Sequence, residues 1–285
     1  MHARLNKSSH RRRKISCIKE QLQLESLLKM FEAEFKTGAV LKRLVETFKD
    51  LLPHATFDCD NRGVSMQVMD TSHVALVSLQ LHAEGFKKYR CDRNVPLNVS
   101  INSLSKIVKC VNERSSVLMK AEDQGDVMAF VFNNDNRICT YTLKLMCIDV
   151  EHLGIPDSDY DCVVHMSSVE FAQVCKDMTQ FDHDIIVSCS KKGLQFRANG
   201  DIGSADVQMS ADNENFSVLK AKQTVTHTFA GDYLCHFAKA APLAPTVTIY
   251  MSEELPFKLE YCIKDVGVLA CFLAPKIVNN DEEIF

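Results

Sequence analysis

Two similar α+β domains in tandem, each with an extensive antiparallel sheet and two helices, are what this 285-residue sequence predicts. Three observations carry that expectation: an internal repeat offset by 130 residues, apolar residues at helical spacing twice in each half, and alternating runs that suit half-buried strands. In the repeat, Leu41, Gly63, Leu104 and Val117 fall 130 positions before Phe171, Gly193, Leu234 and Val247, without a gap.

Along the chain, Val40, Leu41, Leu44, Val45, Phe48, Leu51 and Leu52 share one arc of a helix whose other arc holds Lys42, Arg43, Glu46 and Lys49. Gly63 then opens the strand-like run "GVSMQVMD". A second helix places Leu104, Ile107, Val108 and Val111 opposite Lys106 and Lys109, and the strands of "SSVLMKAEDQGDVMAFVF" follow. In the second half, Phe171, Val174, Cys175 and Met178 oppose Gln173, Lys176 and Asp177, and Gly193 opens "GLQFRANGD". Tyr233, Leu234, Phe237 and Ala238 then oppose Asp232, His236 and Lys239 before "TVTIYMSEELPFKLEYCI". Turns are expected at "NRG", "DQGD", "KKG" and "EELP". Between the halves lies "HLGIPDSDY", residues 152–160, broken by Gly154 and Pro156 yet carrying the apolar Leu153, Ile155 and Tyr160.

With 46% hydrophobic and 25% charged residues the composition is that of a globular chain. Apolar runs such as "VALV" fall far short of the roughly 20 residues of a membrane-spanning helix. The twelve cysteines are scattered with no CxxC pair, which suits buried free thiols in a reducing compartment better than disulfides or zinc. Residues 1–29 carry a net charge of +6, leaving −10 of the total −4 on residues 30–285. An acidic body repels nucleic acid unless its basic residues are gathered on one surface. Lysines on one helix's polar face read as solvation; the same feature on four equivalent helices reads as a surface for phosphates that ignores base sequence. No GxGxxG, GxxxxGK[ST], HExxH or GxSxG motif is present, and His152, His165 and His183 are irregularly spaced, so a binding protein is favoured over an enzyme. The rival enzyme reading rests on a Cys and His pair. No cofactor or metal is expected.

From Met30 onward the chain resembles the proliferating cell nuclear antigen family, the eukaryotic sliding clamps. The resemblance rests on "MFEAEF" at residue 30, "MDTSHVALV" (69–77), "YRCDRN" (89–94), "KLM" (144–146), "EHLGIP" (151–156) and "LAPKI" (273–277). It implies clamp domains at 30–146 and 163–278, a connector at 147–162 and an acidic tail at 279–285; residues 1–29 lie outside it and read as a disordered basic extension. It also implies a closed head-to-tail homotrimer in the nucleus, a DNA polymerase processivity factor encircling duplex DNA in replication, repair and translesion synthesis. By similarity the inner, DNA-binding surface is Lys42, Arg43, Lys49, Lys106, Lys109, Arg137, Lys176 and Lys239. The subunit interface joins the strand at 137–145 to that at 201–209 of the neighbour, with Cys110, Tyr141, Phe181 and Ala205 beside it. A checkpoint-type or damage-tolerance clamp in mixed rings is the alternative, weakened by the close "CDRN" and "LAPKI" matches.

The partners implied are DNA polymerases, a clamp loader, a flap endonuclease, DNA ligase and other proteins with the peptide Gln-x-x-aliphatic-x-x-aromatic-aromatic. Their pocket would be made by Met69, His73, Val74, Leu76, Leu153, Ile155, Tyr160, Pro256, Phe272, Leu273, Ala274 and Pro275. On this reading the apolar connector residues stay exposed to receive a partner. Lys191 matches the family's ubiquitinated lysine. Against the family pattern, Gln173 and Asp232 stand where arginine is usual, Ala205 where glycine is, Phe272 where tyrosine is, and Lys192 where an acid is, which points to a diverged paralogue. "RRRK" at 11–14 reads as an import or DNA-binding arm, a solvated tail, or sequence upstream of a true start at Met30.

Overall fold

The structure is a computed structural model that describes residues 30–122, 125–134, 137–147, 154, 158–210 and 216–277. The expectations for residues 1–29 and 279–285 therefore lie outside the described residues. The first half runs β1 (Met30–Phe35), α1 (Gly38–Phe48), β2 (His54–Asp60), β3 (Gly63–Met69), β4 (Ala75–His82), β5 (Lys88–Cys91), β6 (Val95–Ser100), α2 (Ile101–Val108), β7 (Ser116–Glu122), β8 (Val127–Asn134) and β9 (Arg137–Lys144). The second repeats that order: β10 (Cys162–Ser167), α3 (Ser168–Met178), β11 (Asp184–Ser190), β12 (Gly193–Gly200), β13 (Gly203–Ser210), β14 (Phe216–Ala221), β15 (Val225–Ala230), α4 (Gly231–Ala238), β16 (Thr246–Met251), β17 (Phe257–Ile263) and β18 (Gly267–Leu273).

The repeat is visible in the backbone as well as the order. Gly63 and Gly193 have φ of 148° and 139°, where side chains are strained, and a Cβ at either would meet the carbonyl oxygen of Leu81 or Met209 at 1.9 and 1.8 Å. These two glycines open equivalent strands because no other residue fits there. The paired landmarks Leu104 and Leu234, Val117 and Val247 are all buried.

Two features differ from the sequence expectation. A strand precedes the first helix of each half; in β1 the alternation is masked because Glu32 is itself buried, held by Lys88 and, at 3.1 Å, by Lys120. Burial pulls the Glu32 pKa up, but the two lysines outweigh it and hold the carboxyl below its usual range. The helices α2 and α3 also begin three residues before the apolar periodicity. The hydroxyls of Ser100 and Ser167 accept from the Ser103 and Glu170 N–H groups, and an N-cap of this kind fixes a start regardless of where the apolar stripe begins. The first helix ends at Phe48, with Leu51 and Leu52 buried beyond it.

The strands form three antiparallel sheets, in the orders β5-β1-β7-β8-β9, β14-β10-β16-β17-β18-β4-β3-β2-β6 and β13-β12-β11-β15. The nine-stranded sheet joins a five-stranded unit of the second half to a four-stranded unit of the first. The seam is β18 against β4, from Gly267 opposite Leu81 to Leu273 opposite Ala75. α1 lies beside α2 and α3 beside α4, and the short turn Ala241–Leu243 touches both α1 and α3. The four helices therefore form one continuous layer, whose buried faces close the space between splayed sheets. In the first half that core is built from Leu41, Leu44 and Leu104 of the helices, Val64 and Leu79 of one sheet, and Met119 and Phe130 of the other.

Candidate nucleic-acid face, subunit edges and partner pocket

The outward faces of the helix layer hold most of the basic residues assigned to DNA, and the structure sorts them by what they already touch. Lys49, Lys106, Lys109 and Lys176 are exposed and have no ion-pair partner among the described residues. Lys42 instead bridges Glu113 at 3.2 Å, and Arg43 donates to the Pro242 carbonyl at 2.7 Å. Lys239 is 2.6 Å from Asp50. Arg43 and Lys239 thus stitch the two halves together on the helix side, a role that sequence reading missed because the partners are 199 and 189 residues away. Arg137 is exposed at the start of β9, an edge strand rather than a helix. Gln173 donates to Asp177 at 2.7 Å, and Asp232 stands 3.7 Å from His183.

Two strands that the repeat leads one to pair are edges here. β18 and β4 form the seam of the nine-stranded sheet, while their equivalents β9 and β13 each lack a partner on one side among the described residues. Both carry the same alternation of exposed and part-buried residues, with Cys139, Tyr141, Ala205 and Val207 on the inward side. Two long unpaired edges are a hazard in an isolated chain. Around them Ile138 is 71% and Ile202 76% exposed, far above the norm for isoleucine. Cys110 adjoins Tyr141, and hydrogen bonding between them raises the Tyr141 phenol pKa. Phe181 is exposed near the β12–β13 turn, its backbone oxygen 1.8 Å from where a Cβ on Gly200 would sit.

On the outer side, an open cavity of about 370 Å³ is lined by Met69, His73, Val74, Leu76, Gly154, Ser158, Tyr160, Leu255, Pro256, Phe272, Leu273 and Ala274. Nine of the sequence-assigned pocket residues are thereby brought together. Leu153 and Ile155 lie outside the described residues. Pro275 does not line the cavity: Ala274 N–H bonds to Val74 and Lys276 N–H to Thr228, so the chain turns away between them. The expectation that Tyr160 waits exposed is also corrected, since it is 8% exposed with its ring 5.4 Å from that of Tyr250. Burial pushes the Tyr160 phenol up to about 12. Tyr160 and Phe272 form the floor, with Val74, Leu76 and Pro256 at the accessible wall. Lys258 lies 4.6 Å from the Tyr250 ring and 5.9 Å from that of Phe272, fixing the stack behind the cavity.

The domain-1 wall is the five-residue loop between β3 and β4. Asp70, at 5% exposure, accepts from the N–H groups of Ser72 at 3.0 Å, Val74 at 2.8 Å and Ala75 at 2.8 Å, and from the Tyr233 hydroxyl at 2.7 Å. Burial raises its pKa, but these four donors outweigh that and hold it below the usual carboxylate value. Lys191 is exposed in the two-residue turn between β11 and β12, beside Lys192, whose N–H bonds the Ser190 hydroxyl.

A doubled domain of nine strands and two helices, with one helix layer and two complementary free edges, is the fold of a DNA sliding clamp. Residues 30–152 match the family described as proliferating cell nuclear antigen, N-terminal domain, and residues 154–276 match its C-terminal domain. The two matches run consecutively through both halves, and the chain belongs to the proliferating cell nuclear antigen family.

Proposed function

We propose that this clamp closes head to tail into a homotrimer around duplex DNA and tethers replication and repair proteins, DNA polymerases among them, through the cavity beside the connector. The pseudo-equivalence of β9 with β18 and of β13 with β4 is the observation that carries the ring. Transferring the intrachain register places Arg137 opposite Met209 of the neighbour, Cys139 opposite Val207 and Tyr141 opposite Ala205. Such a contact is heterologous, so it closes only at a fixed number of copies. The helix layer then faces the hole, where Lys49, Lys106, Lys109 and Lys176 meet phosphates through diffuse, sequence-blind contacts that permit sliding. Arg137 of β9 stands at the joint.

The cavity suits a short helical plug with two aromatic side chains, because its lining is mainly apolar and its volume falls in the ordinary range for ligand pockets. A clamp loader, flap endonuclease and DNA ligase are partners of this type. The exposed Lys191 turn offers a site for ubiquitin attachment, and a nuclear setting follows from the work proposed.

The ring is tested by oxidising a Val207→Cys variant in solution. Cys139 and Cys at 207 would stand directly opposite across the joint, at a Cα spacing that accepts a disulfide. The expected product is a covalent trimer on a denaturing gel; only monomer, with both thiols reactive, contradicts the ring. The pocket is tested with a fluorescent Gln-x-x-Leu-x-x-Phe-Phe peptide. Leu76→Ala is expected to weaken binding by roughly tenfold, as for a moderate hot spot; unchanged affinity contradicts the assignment.

A further inference from the structure

The β3–β4 loop is where the repeat departs from itself. Five residues separate Met69 from Ala75, whereas only Asp201 and Ile202 separate β12 from β13. The additional chain forms one wall of the cavity, through His73 and Val74. It is also held in a shape that a loop does not adopt freely. His73 has φ of 56°, in the left-handed region that non-glycine residues seldom occupy. Its N–H bonds the Asp70 carbonyl at 3.1 Å, and the Asp70 N–H bonds Ala75 at 2.9 Å.

The Asp70 carboxylate sits at the centre of this loop. One oxygen takes the Val74 and Ala75 N–H groups; the other takes Ser72 N–H and the Tyr233 hydroxyl. Tyr233 belongs to α4, in the other half of the chain and in the helix layer, and is half-buried there against Phe237. Its counterpart in the repeat is Ser103 of α2, which is too short to make the same reach. Among the described residues the tie is found at the intrachain seam, next to the long loop, and not at the equivalent place in α2. Elsewhere the halves are joined by strand pairing, which reaches the loop's last residue through the Ala274 N–H to the Val74 carbonyl at 3.0 Å, and by Arg43 and Lys239, which do not touch the loop.

From this geometry we infer that Asp70 is a positioning residue for the partner cavity and that the Tyr233 hydroxyl, donated across the domain seam, locks it in the binding shape. Asp70 lies behind the wall rather than on it and touches no partner. It acts by holding the Ser72, Val74 and Ala75 N–H groups on either side of His73, so that His73 and Val74 stand where an incoming aromatic meets them. This inference rests on the peptide-pocket reading, since it says what shapes that pocket. A second consequence is that anything moving α4 moves the cavity wall.

Tyr233→Phe keeps the ring and its packing and removes one donor. Hydrogen bonds to charged groups are worth more than neutral ones, and only part of that reaches the pocket, so peptide affinity is expected to fall by roughly threefold to tenfold. If the loop has simply lost its pre-set shape, the fall appears in the association rate, while dissociation of the formed complex is nearly unchanged. Amide hydrogen exchange of Ser72 and Val74 in the free protein should accelerate by about the same factor, and that of α4 should not. Asp70→Asn should act in the same direction more strongly, and Asp50→Ala, which cuts the separate ion pair across the seam from the first-half side, should leave both readouts at their original values. Wild-type affinity and exchange in Tyr233→Phe would overturn the inference. If the unmodified chain fails to bind the Gln-x-x-Leu-x-x-Phe-Phe peptide, the pocket reading falls instead, and the exchange experiment still decides whether Tyr233 holds the loop.

Discussion

Val207→Glu is expected to dissolve the ring while leaving the single chain folded. At the seam already formed within the chain, the residues equivalent to Val207 and Cys139 are Leu79 and Leu269, 1% and 0% exposed. A carboxylate introduced at 207 would become equally buried once β9 and β13 pair, with no cation opposite it, since the transferred register sets it against Cys139. An uncompensated buried charge costs about 3 kcal/mol or more, and each 1.4 kcal/mol is tenfold, so every joint should weaken by roughly a hundredfold. In the lone chain Val207 is only half-buried on an edge strand, so the same substitution should change folding stability by less than about 1 kcal/mol. Light scattering after size exclusion at micromolar concentration checks the mass, and thermal melting checks the fold. A variant that stays trimeric would refute the transferred register, and one that unfolds would refute the placement of Val207 on a free edge.

Gly193→Ala should destabilise the chain by at least about 2 kcal/mol, because φ of 139° and the Met209 oxygen both exclude a Cβ, whereas Gly154→Ala, with open space around it, should be nearly neutral; urea midpoints compare the two. Lys106→Glu combined with Lys109→Glu should shorten retention on nicked circular DNA and lower the salt dependence by about one unit of slope per lysine that meets a phosphate, measured by single-molecule diffusion from 50 to 200 mM salt. Asp70 supplies a pH test: its folded pKa lies below the unfolded value of about 3.9, so its stabilisation is present above that value and is lost as pH falls through the folded one. Urea midpoints should therefore fall more steeply from pH 5 to pH 3 in the unmodified chain than in Asp70→Asn.

The repeat, the helices and most cavity residues are legible in the sequence because each depends on local spacing. A glycine 22 residues after a helical leucine marks the same turn twice, and Met69 to Leu76 form one side of the cavity by being contiguous. What was not legible depends on contacts between distant residues. Glu32 hides β1 because its lysine partners lie 56 and 88 positions along the chain. Tyr160 reads as an exposed apolar residue until Tyr250 is seen beside it, and Asp70 reads as a turn aspartate until Tyr233 arrives from another helix. The seam between β18 and β4, which reveals the two free edges, pairs residues about 190 positions apart.

The same long-range pairing bears on how such an acidic body holds DNA. Counting lysines on helix faces already favours the first half, with Lys42, Lys49, Lys106 and Lys109 against Lys176 and Lys239, and the structure further separates free cations from engaged ones. The first half presents Lys49, Lys106 and Lys109 unpaired among the described residues; the second presents Lys176, while Lys239 is spent on Asp50. Asp232 and the Gln173–Asp177 pair add acid where the helix layer would need base. In a closed ring of the proposed kind these halves alternate, so three strongly positive sectors are separated by three weak ones. A duplex in that field is drawn toward one strong sector at a time rather than centred, and transfer between sectors breaks only a few screened contacts. The asymmetry inside each chain thus favours a loose, mobile hold on DNA, with the topology of the ring, rather than affinity, preventing escape.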